Sequence, residues 1–480
     1  MTAAVVRPAG PAEGPAPTSR LQLDASVRAL GDGRVLLGGQ PVRLLRLTRA
    51  GADLVAAWTG GAPVGADRGA RALAARLVAA GLAHPRPGAG PWGREDVAVV
   101  LPARDRPDAL AACLASLGPA GDVVVVDDGS RDPAALAAVA AAGGARVVRR
   151  PVSGGPAAAR NTGLRATSAP LVAFVDSDTL PVGDWLEPLL RHFADPSVGA
   201  VAPRIRVPAG GGDVAAYEAV RSPLDLGTAP GVVAPGHRIS FVPSATLVVR
   251  REAVGEAGFD EAMRFGEDVD LVWRLGAAGW SVRYEPAAEV EHPHRSGPRA
   301  WLAQRVAYGS SAGALAQRHP GRLHHVVVPT WAIAPWVLGL AGRPGWALAA
   351  AATGTALVVA RLPALPGVRR EVALMAAGAH GRVARQAFDA CWRAYPPLLA
   401  AALATRRGRR IVAGGLAVSV AVDWWERRPR LDPVRYGALR VADDLAYATG
   451  VWLGCLRARR AGPLVPALAR GPKLGWRAAR

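Results

Sequence analysis

From residue 95 onward the chain repeats one pattern of polarity. Residues 97–101, 123–126, 145–148 and 171–175 are short apolar runs, and helical stretches lie between them at about 107–117, 133–142 and 157–166. Unbroken apolar runs predict strands buried on both faces, and the helices between them predict parallel neighbours. Such sheets bind ligands beyond the carboxyl ends of their strands. Here those ends turn polar, at 102–106, 127–130 and 176–178.

The flanking regions are patterned differently. Over 20–86, residues 34–37 follow a Gly-Asp-Gly turn and predict a short strand, and 42–47 partly alternate and predict its partner. Helices are expected at 50–58 and 69–80, the second with Leu73 and Leu77 four apart, Ala70 and Ala74 extending the stripe, and Gly81 as its cap. This predicts a small winged-helix-like module over 20–90, with the Pro- and Gly-rich run 85–91 as its linker. Residues 1–19 are rich in Pro, Ala and Gly without an unbroken apolar run, and are expected to be a disordered leader rather than a signal peptide. Beyond about 320, segments 326–342 and 345–360 carry no charge, and 411–422 is a weaker third. Each falls short of the roughly 20 residues that a spanning helix needs, which leaves a membrane hairpin or a helical bundle.

Length and charge sharpen this outline. A chain of 480 residues predicts two or three domains. The expected divisions are 1–19, 20–90, 95–320 and 321–480, the last an Arg-rich helical region. The net charge is +20, and residues 361–480 hold 21 Arg and one Lys against seven Asp or Glu, three quarters of that excess. Such a tail calls for an anionic partner. It lacks basic–aromatic repeats or a recognised nucleic-acid fold, so no nucleic-acid partner is expected, and a non-enzymatic binder of anionic polymers is a remote alternative. The arginine clusters 406–410 and 427–428, with Trp331, Trp336, Trp346, Trp424 and Trp425, suit the cytoplasmic face of a membrane. Membrane contact through 326–425 is expected, with the active site facing the cytoplasm. A purely cytoplasmic protein is the alternative. The widely spaced Cys113, Cys391 and Cys455 form neither a disulfide framework nor a zinc site.

The candidate chemistry sits at the strand ends. Asp176, Ser177 and Asp178 end one strand, and two carboxylates two apart can hold Mg²⁺ or Mn²⁺ together with substrate phosphates. Alone, such a triplet is more often a solvated turn. A second strand ends in Asp127 and Asp128, where a carboxylate can accept from a pyrimidine N–H or merely cap a helix. The run from Gly154 through Gly155 to Arg160 opens a helix whose amides and guanidinium can meet a diphosphate. The acidic start of another helix, Glu267, Asp268 and Asp270, suits its dipole, and Asp268 can also serve as a general base. His292 and His294 follow a strand expected at 281–284 and are candidate metal ligands.

In this order the motifs resemble family 2 glycosyltransferases of GT-A fold. The matching segments are VVLPARDRPDALAACLASL (99–117), VVVVDDGS (123–130), GGPAAARNTG (154–163), FVDSDT (174–179) and FGEDVDLVWRL (265–275). The resemblance implies an α/β, Rossmann-like catalytic domain and a UDP-sugar donor. In it, Asp128 contacts the base, flanked by Pro102, Ala103 and Arg104. Asp176 contacts the donor sugar or ribose, Asp178 binds the metal, Asp268 is the base, and His292 is a further metal ligand. Arg104 and Asp105 depart from the Tyr-Asn common there, which puts base stacking in doubt. Segments 34–51 and 305–321 resemble, more narrowly, the glycosyltransferases of mycofactocin clusters. That likeness implies a small peptide-derived acceptor, a β-1,4-linked glucose chain, and peptide binding by the module at 20–90. A membrane enzyme acting on a polyprenyl-phosphate or cell-wall glycan acceptor is the alternative.

Overall fold

A computed structural model describes residues 14–469, except 40, 209, 294–296, 361 and 363–366. Its chain divides into two compact units, one of residues 1–24 with 57–296 and one of 25–56 with 297–480. The first unit is built on strands β1 (Val97–Ala103), β2 (Val123–Asp128), β3 (Arg146–Arg150), β4 (Leu171–Val175), β5 (Leu180–Val182), β6 (Val198–Arg206), β7 (Gly231–Val232), β8 (Thr246–Arg250) and β9 (Ser281–Glu291). They form one sheet of order β5-β9-β6-β8-β4-β1-β2-β3, with β7 on β9. The half containing β3, β2, β1 and β4 is parallel, as the apolar runs predict. Beyond β4 the sheet is mixed: β8 runs antiparallel to both β4 and β6, while β9 runs parallel to β6.

Helices α1 (Pro107–Ser116), α2 (Pro133–Ala142) and α3 (Pro156–Arg165) each open on a proline, whose missing N–H costs nothing at a helix start. Asp132 caps α2 by accepting from Ala135 N–H. Leu110 and Cys113 of α1 and Leu136 and Ala140 of α2 pack on Val99, Leu101 and Val125. Each such valine or leucine contributes about 1.5–3 kcal/mol on burial. Gly163 of α3 lies against Val100, where a methyl group would overlap the valine. Helices α4 (Asp213–Arg221) and α5 (Glu267–Ala278) complete the elements used below.

Residues 20–90 fall in both units rather than in one body. The antiparallel pair Arg20–Leu23 with Ala83–Arg86 and the helix Arg68–Ala79 lie in the first. The three-stranded sheet Arg28–Leu30, Val35–Gly38 and Arg43–Arg46 lies in the second. Its inner face, Val35, Leu37 and Leu44, is covered by Val358, Leu362, Val368 and Val372, more than 300 residues away in sequence. Three strands this short are stable only when their apolar face is packed against another element.

The rest of the second unit is helical, with α6 (Pro298–Arg318), α7 (Val368–Ala394), α8 (Arg406–Arg427) and α9 (Pro433–Ala458) its longest members. Gly309 and Gly313 of α6 face Gly450 and Gly454 of α9 so closely that a Cβ at any of the four would strike the opposite backbone. Ion pairs tie the helices together: the buried Arg305 to Asp443 at 2.8 Å, and the half-buried pairs Arg440 to Asp389 at 2.6 Å and Arg393 to Asp444 at 2.7 Å. No helix among the described residues is long and apolar enough to cross a membrane. Of the two readings left open for 326–342 and 345–360, a membrane hairpin or a helical bundle, the described residues show the helices Ile333–Leu340 and Pro344–Ala360. Segment 411–422 lies inside α8, which begins with four arginines in five residues.

Candidate active site

The turn after β4 is fixed by backbone bonds. Asp176 N–H donates to Ala245 O at 2.8 Å, and Thr179 donates to Asp176 O through both N–H and Oγ1. This holds Asp176 and Asp178 beyond the strand with Ser177 between them, all three partly exposed. The pairing of β5 with β9 sets Leu180 opposite Glu291, which brings the next residue, His292, beside Asp178. His292 Nδ1 lies 2.9 Å from Pro293 O, and Nε2 stands 3.4 Å from Asp178 Oδ1. With its proton on Nδ1, the ring presents the Nε2 lone pair to the carboxylates. One donor atom from each of Asp176, Asp178 and His292 can be chosen so that all lie within 4.8 Å of one another. Neighbouring ligands of an octahedral Mg²⁺ or Mn²⁺ stand roughly 3 Å apart, so the two carboxylates offer hard oxygen donors that could draw in on such an ion, with the His292 imidazole as a softer third. His294 lies outside the described residues.

Asp268 begins the first turn of α5, after Gly266 at φ 80°. Its Oδ2 accepts from Ser244 N–H at 3.2 Å and its Oδ1 from Val269 N–H at 2.8 Å. Its neighbours Ser244 and Ala245 thus link it to the backbone of Asp176. Burial raises its pKa, against the pull of the Val269 amide and of Arg160. A carboxylate with a raised pKa is a stronger base towards a hydroxyl.

Two expected ligand contacts are spent on the protein itself. Arg160, expected to meet a diphosphate, is only 4% exposed and donates to Asp176 Oδ1 at 2.6 Å and Glu267 Oε1 at 2.9 Å. Its guanidinium also stacks on Phe259, 5.4 Å from the ring centre. Arg160 thus joins the turn after β4 to the start of α5. Asp128, expected to read a base, accepts four bonds: from Arg150 Nε and Gly154 N–H on Oδ1, and from Ser153 Oγ and Gly155 N–H on Oδ2. Burial alone would raise its pKa, but these donors outweigh burial and hold it below the usual carboxylate range. A base could reach Asp128 only by releasing one of them. Arg104, at the end of β1 after Pro102 and Ala103, donates to Ser153 Oγ at 3.2 Å and so borders the same loop. Gly155 takes φ 87°, which lets its N–H turn inward.

Sequence reasoning gave no task to Glu267 or Asn161. Burial and the neighbouring Asp268 raise the Glu267 pKa to about 7 despite Arg160. Asn161 clamps the loop before α5, accepting from Phe259 N–H and donating to Phe259 O and Glu261. Both lie beside motif residues in sequence, yet only their burial shows what they do.

Comparison with known proteins decides the family. The model of Glycosyl transferase family 2 matches residues 98–257. Over 461 residues the chain is 42% identical to the Pre-mycofactocin glycosyltransferase of Mycobacterium tuberculosis, spanning 93% of this chain and 97% of that one. The chain belongs to family 2 of the glycosyltransferases. It is also 30% identical over 211 residues to the succinoglycan biosynthesis protein ExoU of Rhizobium meliloti, covering 40% of this chain and 59% of ExoU. Among solved structures, the mannosyltransferase PcManGT of Pyrobaculum calidifontis, in complex with GDP-Man and Mn²⁺, is similar at TM-score 0.44 and 20% identity, over 76% of this chain and 89% of that one. Membership of that family makes the protein an enzyme that moves a glycosyl group on a GT-A-type sheet.

Proposed function

We propose that this glycosyltransferase transfers a hexose, glucose in the first instance, from a UDP-sugar to a hydroxyl of pre-mycofactocin, and that repeated transfer builds a β-1,4-linked chain. The observation that carries the chemistry is the cluster of Asp176, Asp178 and His292 near the half-buried Asp268, whose carboxylate is held by Ser244 next to the Asp176 backbone. Near full-length similarity to a pre-mycofactocin enzyme supports the acceptor. A divalent cation held by Asp178, His292 and Asp176 would neutralise the diphosphate as it leaves. Asp268 accepts the acceptor's proton as the hydroxyl attacks the anomeric carbon from the face opposite the leaving group, which inverts that centre. Arg160 keeps Asp176 and the start of α5 in register, so the donor carboxylates and the base stay at fixed separation.

Titration calorimetry tests this with UDP-glucose, with and without Mn²⁺, on wild type and Asp178→Ala. Cation-dependent binding in the wild type and its loss in the variant are expected. Binding that ignores both Mn²⁺ and the substitution would sink the metal reading.

Peripheral membrane contact rests on a separate observation. Residues 326–360 and 395–422 contain no Asp or Glu. Exposed within them are Trp346 at 68%, Leu348 at 73% and Leu398 at 62%. Arg407 donates to Leu340 O, so the arginine-rich start of α8 adjoins this apolar rim. Such a surface suits anionic headgroups and would favour a lipid-linked acceptor. Co-sedimentation with phosphatidylglycerol vesicles but not phosphatidylcholine vesicles is expected, and equal recovery with both would count against it.

A further inference from the structure

The loop after β1 holds two consecutive non-glycine residues in the left-handed region, Asp105 at φ 48° and Arg106 at φ 83°. That conformation is costly for residues with a Cβ and persists where surroundings enforce it. Here Asp105 is held at both ends. Its N–H donates to Ser130 Oγ at 2.9 Å, and its Oδ1 accepts from Arg131 N–H at 2.8 Å. Arg106 is held by Leu110 N–H, which donates to its carbonyl at 3.3 Å, and by its own ion pair. The pinned loop aims the Arg106 guanidinium at the candidate metal cluster. Nη1 donates to Asp178 Oδ2 at 2.7 Å, while His292 lies on Oδ1 of the same carboxylate.

From this geometry we infer that Arg106 takes the place of the divalent cation on Asp178, and passes to the diphosphate of the nucleotide when cation and nucleotide bind together. The inference rests on the metal reading proposed above. A guanidinium is always charged, so it both occupies one Asp178 oxygen and repels an incoming dication. The bare cation then binds weakly. A diphosphate changes the balance, because it offers the guanidinium a bidentate anionic partner and leaves Asp178 to the cation. Arg106 is free to make this move: its side chain is 54% exposed, and a flexible stem can swing without disturbing the strained backbone. Arg160 is not, being 4% exposed with two carboxylate partners. The cation that the chain turns towards a diphosphate is thus Arg106. Its expected consequence is strong positive coupling between cation and nucleotide binding.

Mn²⁺ binding to the full chain, followed by the loss of its free-ion paramagnetic resonance signal with and without UDP, tests this in wild type, Arg106→Gln and Arg106→Lys. Thermal melting of each variant reports folding. Without UDP, Arg106→Gln should bind Mn²⁺ roughly tenfold more tightly than wild type, while Arg106→Lys stays near wild type. With Mn²⁺ present, UDP should bind Arg106→Gln roughly tenfold more weakly, so the coupling between the two ligands shrinks. Unchanged Mn²⁺ affinity in a folded Arg106→Gln overturns the exchange while leaving the metal site standing. Absence of Mn²⁺ binding in every form, with UDP still bound, removes the metal site and the inference with it.

Discussion

Asp268→Asn should lower turnover by about 10²–10⁴-fold while leaving UDP and Mn²⁺ affinity close to wild type. The substitution keeps size and shape, and the remaining carbonyl can still accept from Ser244 or Val269. What it removes is the ability to take a proton. The pH profile sharpens the test. Burial raises the Asp268 pKa, so the wild-type rate should climb with pH through a limb lying above the ordinary carboxylate range. That limb should vanish in the variant's residual activity. Near-normal turnover in Asp268→Asn would show that another group accepts the proton.

Arg160→Ala should cost about 3–5 kcal/mol in unfolding free energy, as measured by urea denaturation. The loss exceeds that of a surface ion pair, because the buried Arg160 joins Asp176 to Glu267 and its removal leaves the buried Glu267 carboxyl without that partner. The same pair makes stability pH-dependent. Glu267 is raised from the ordinary glutamate value to about 7, so the folded state holds its proton where the unfolded chain has released it. Its contribution is fully present below the unfolded pKa and is lost as pH rises through about 7. Unfolding midpoints of the wild type should therefore decline from acid to neutral pH, and Glu267→Gln should flatten that decline. A midpoint of Arg160→Ala equal to wild type would mean that the junction carries no stability.

Much of the catalytic sheet was legible because its strands are buried on both faces. Val97 to Leu101 and Val124 to Val126 read as apolar runs because they are buried inside the sheet, whereas the edge strand Arg146–Arg150 is largely exposed despite its apolar run. Asp176, Asp178 and His292 could be singled out because polar residues follow strands, and Asp268 because an acidic cluster opens a helix. Sequence shows a residue's chemistry but not its partners, and the protein partners of Arg160 and Asp128 were not legible in it. A buried arginine between two carboxylates and a surface arginine facing a phosphate are spelled alike. Arg106 escaped notice because its distinction is a backbone angle. Nothing local in residues 34–47 says that helices beyond residue 357 cover them.

That last pairing bears on how the chain is made. Val35, Leu37 and Leu44 emerge early in synthesis, and the residues that bury them follow roughly 300 positions later. At about 5–20 residues per second, the ribosome leaves this apolar face uncovered for roughly 15–60 seconds. A nascent chain stalled anywhere between residues 57 and 357 would display it, so the first fifty residues are a natural landing place for a chaperone and a hazard for any C-terminal truncation.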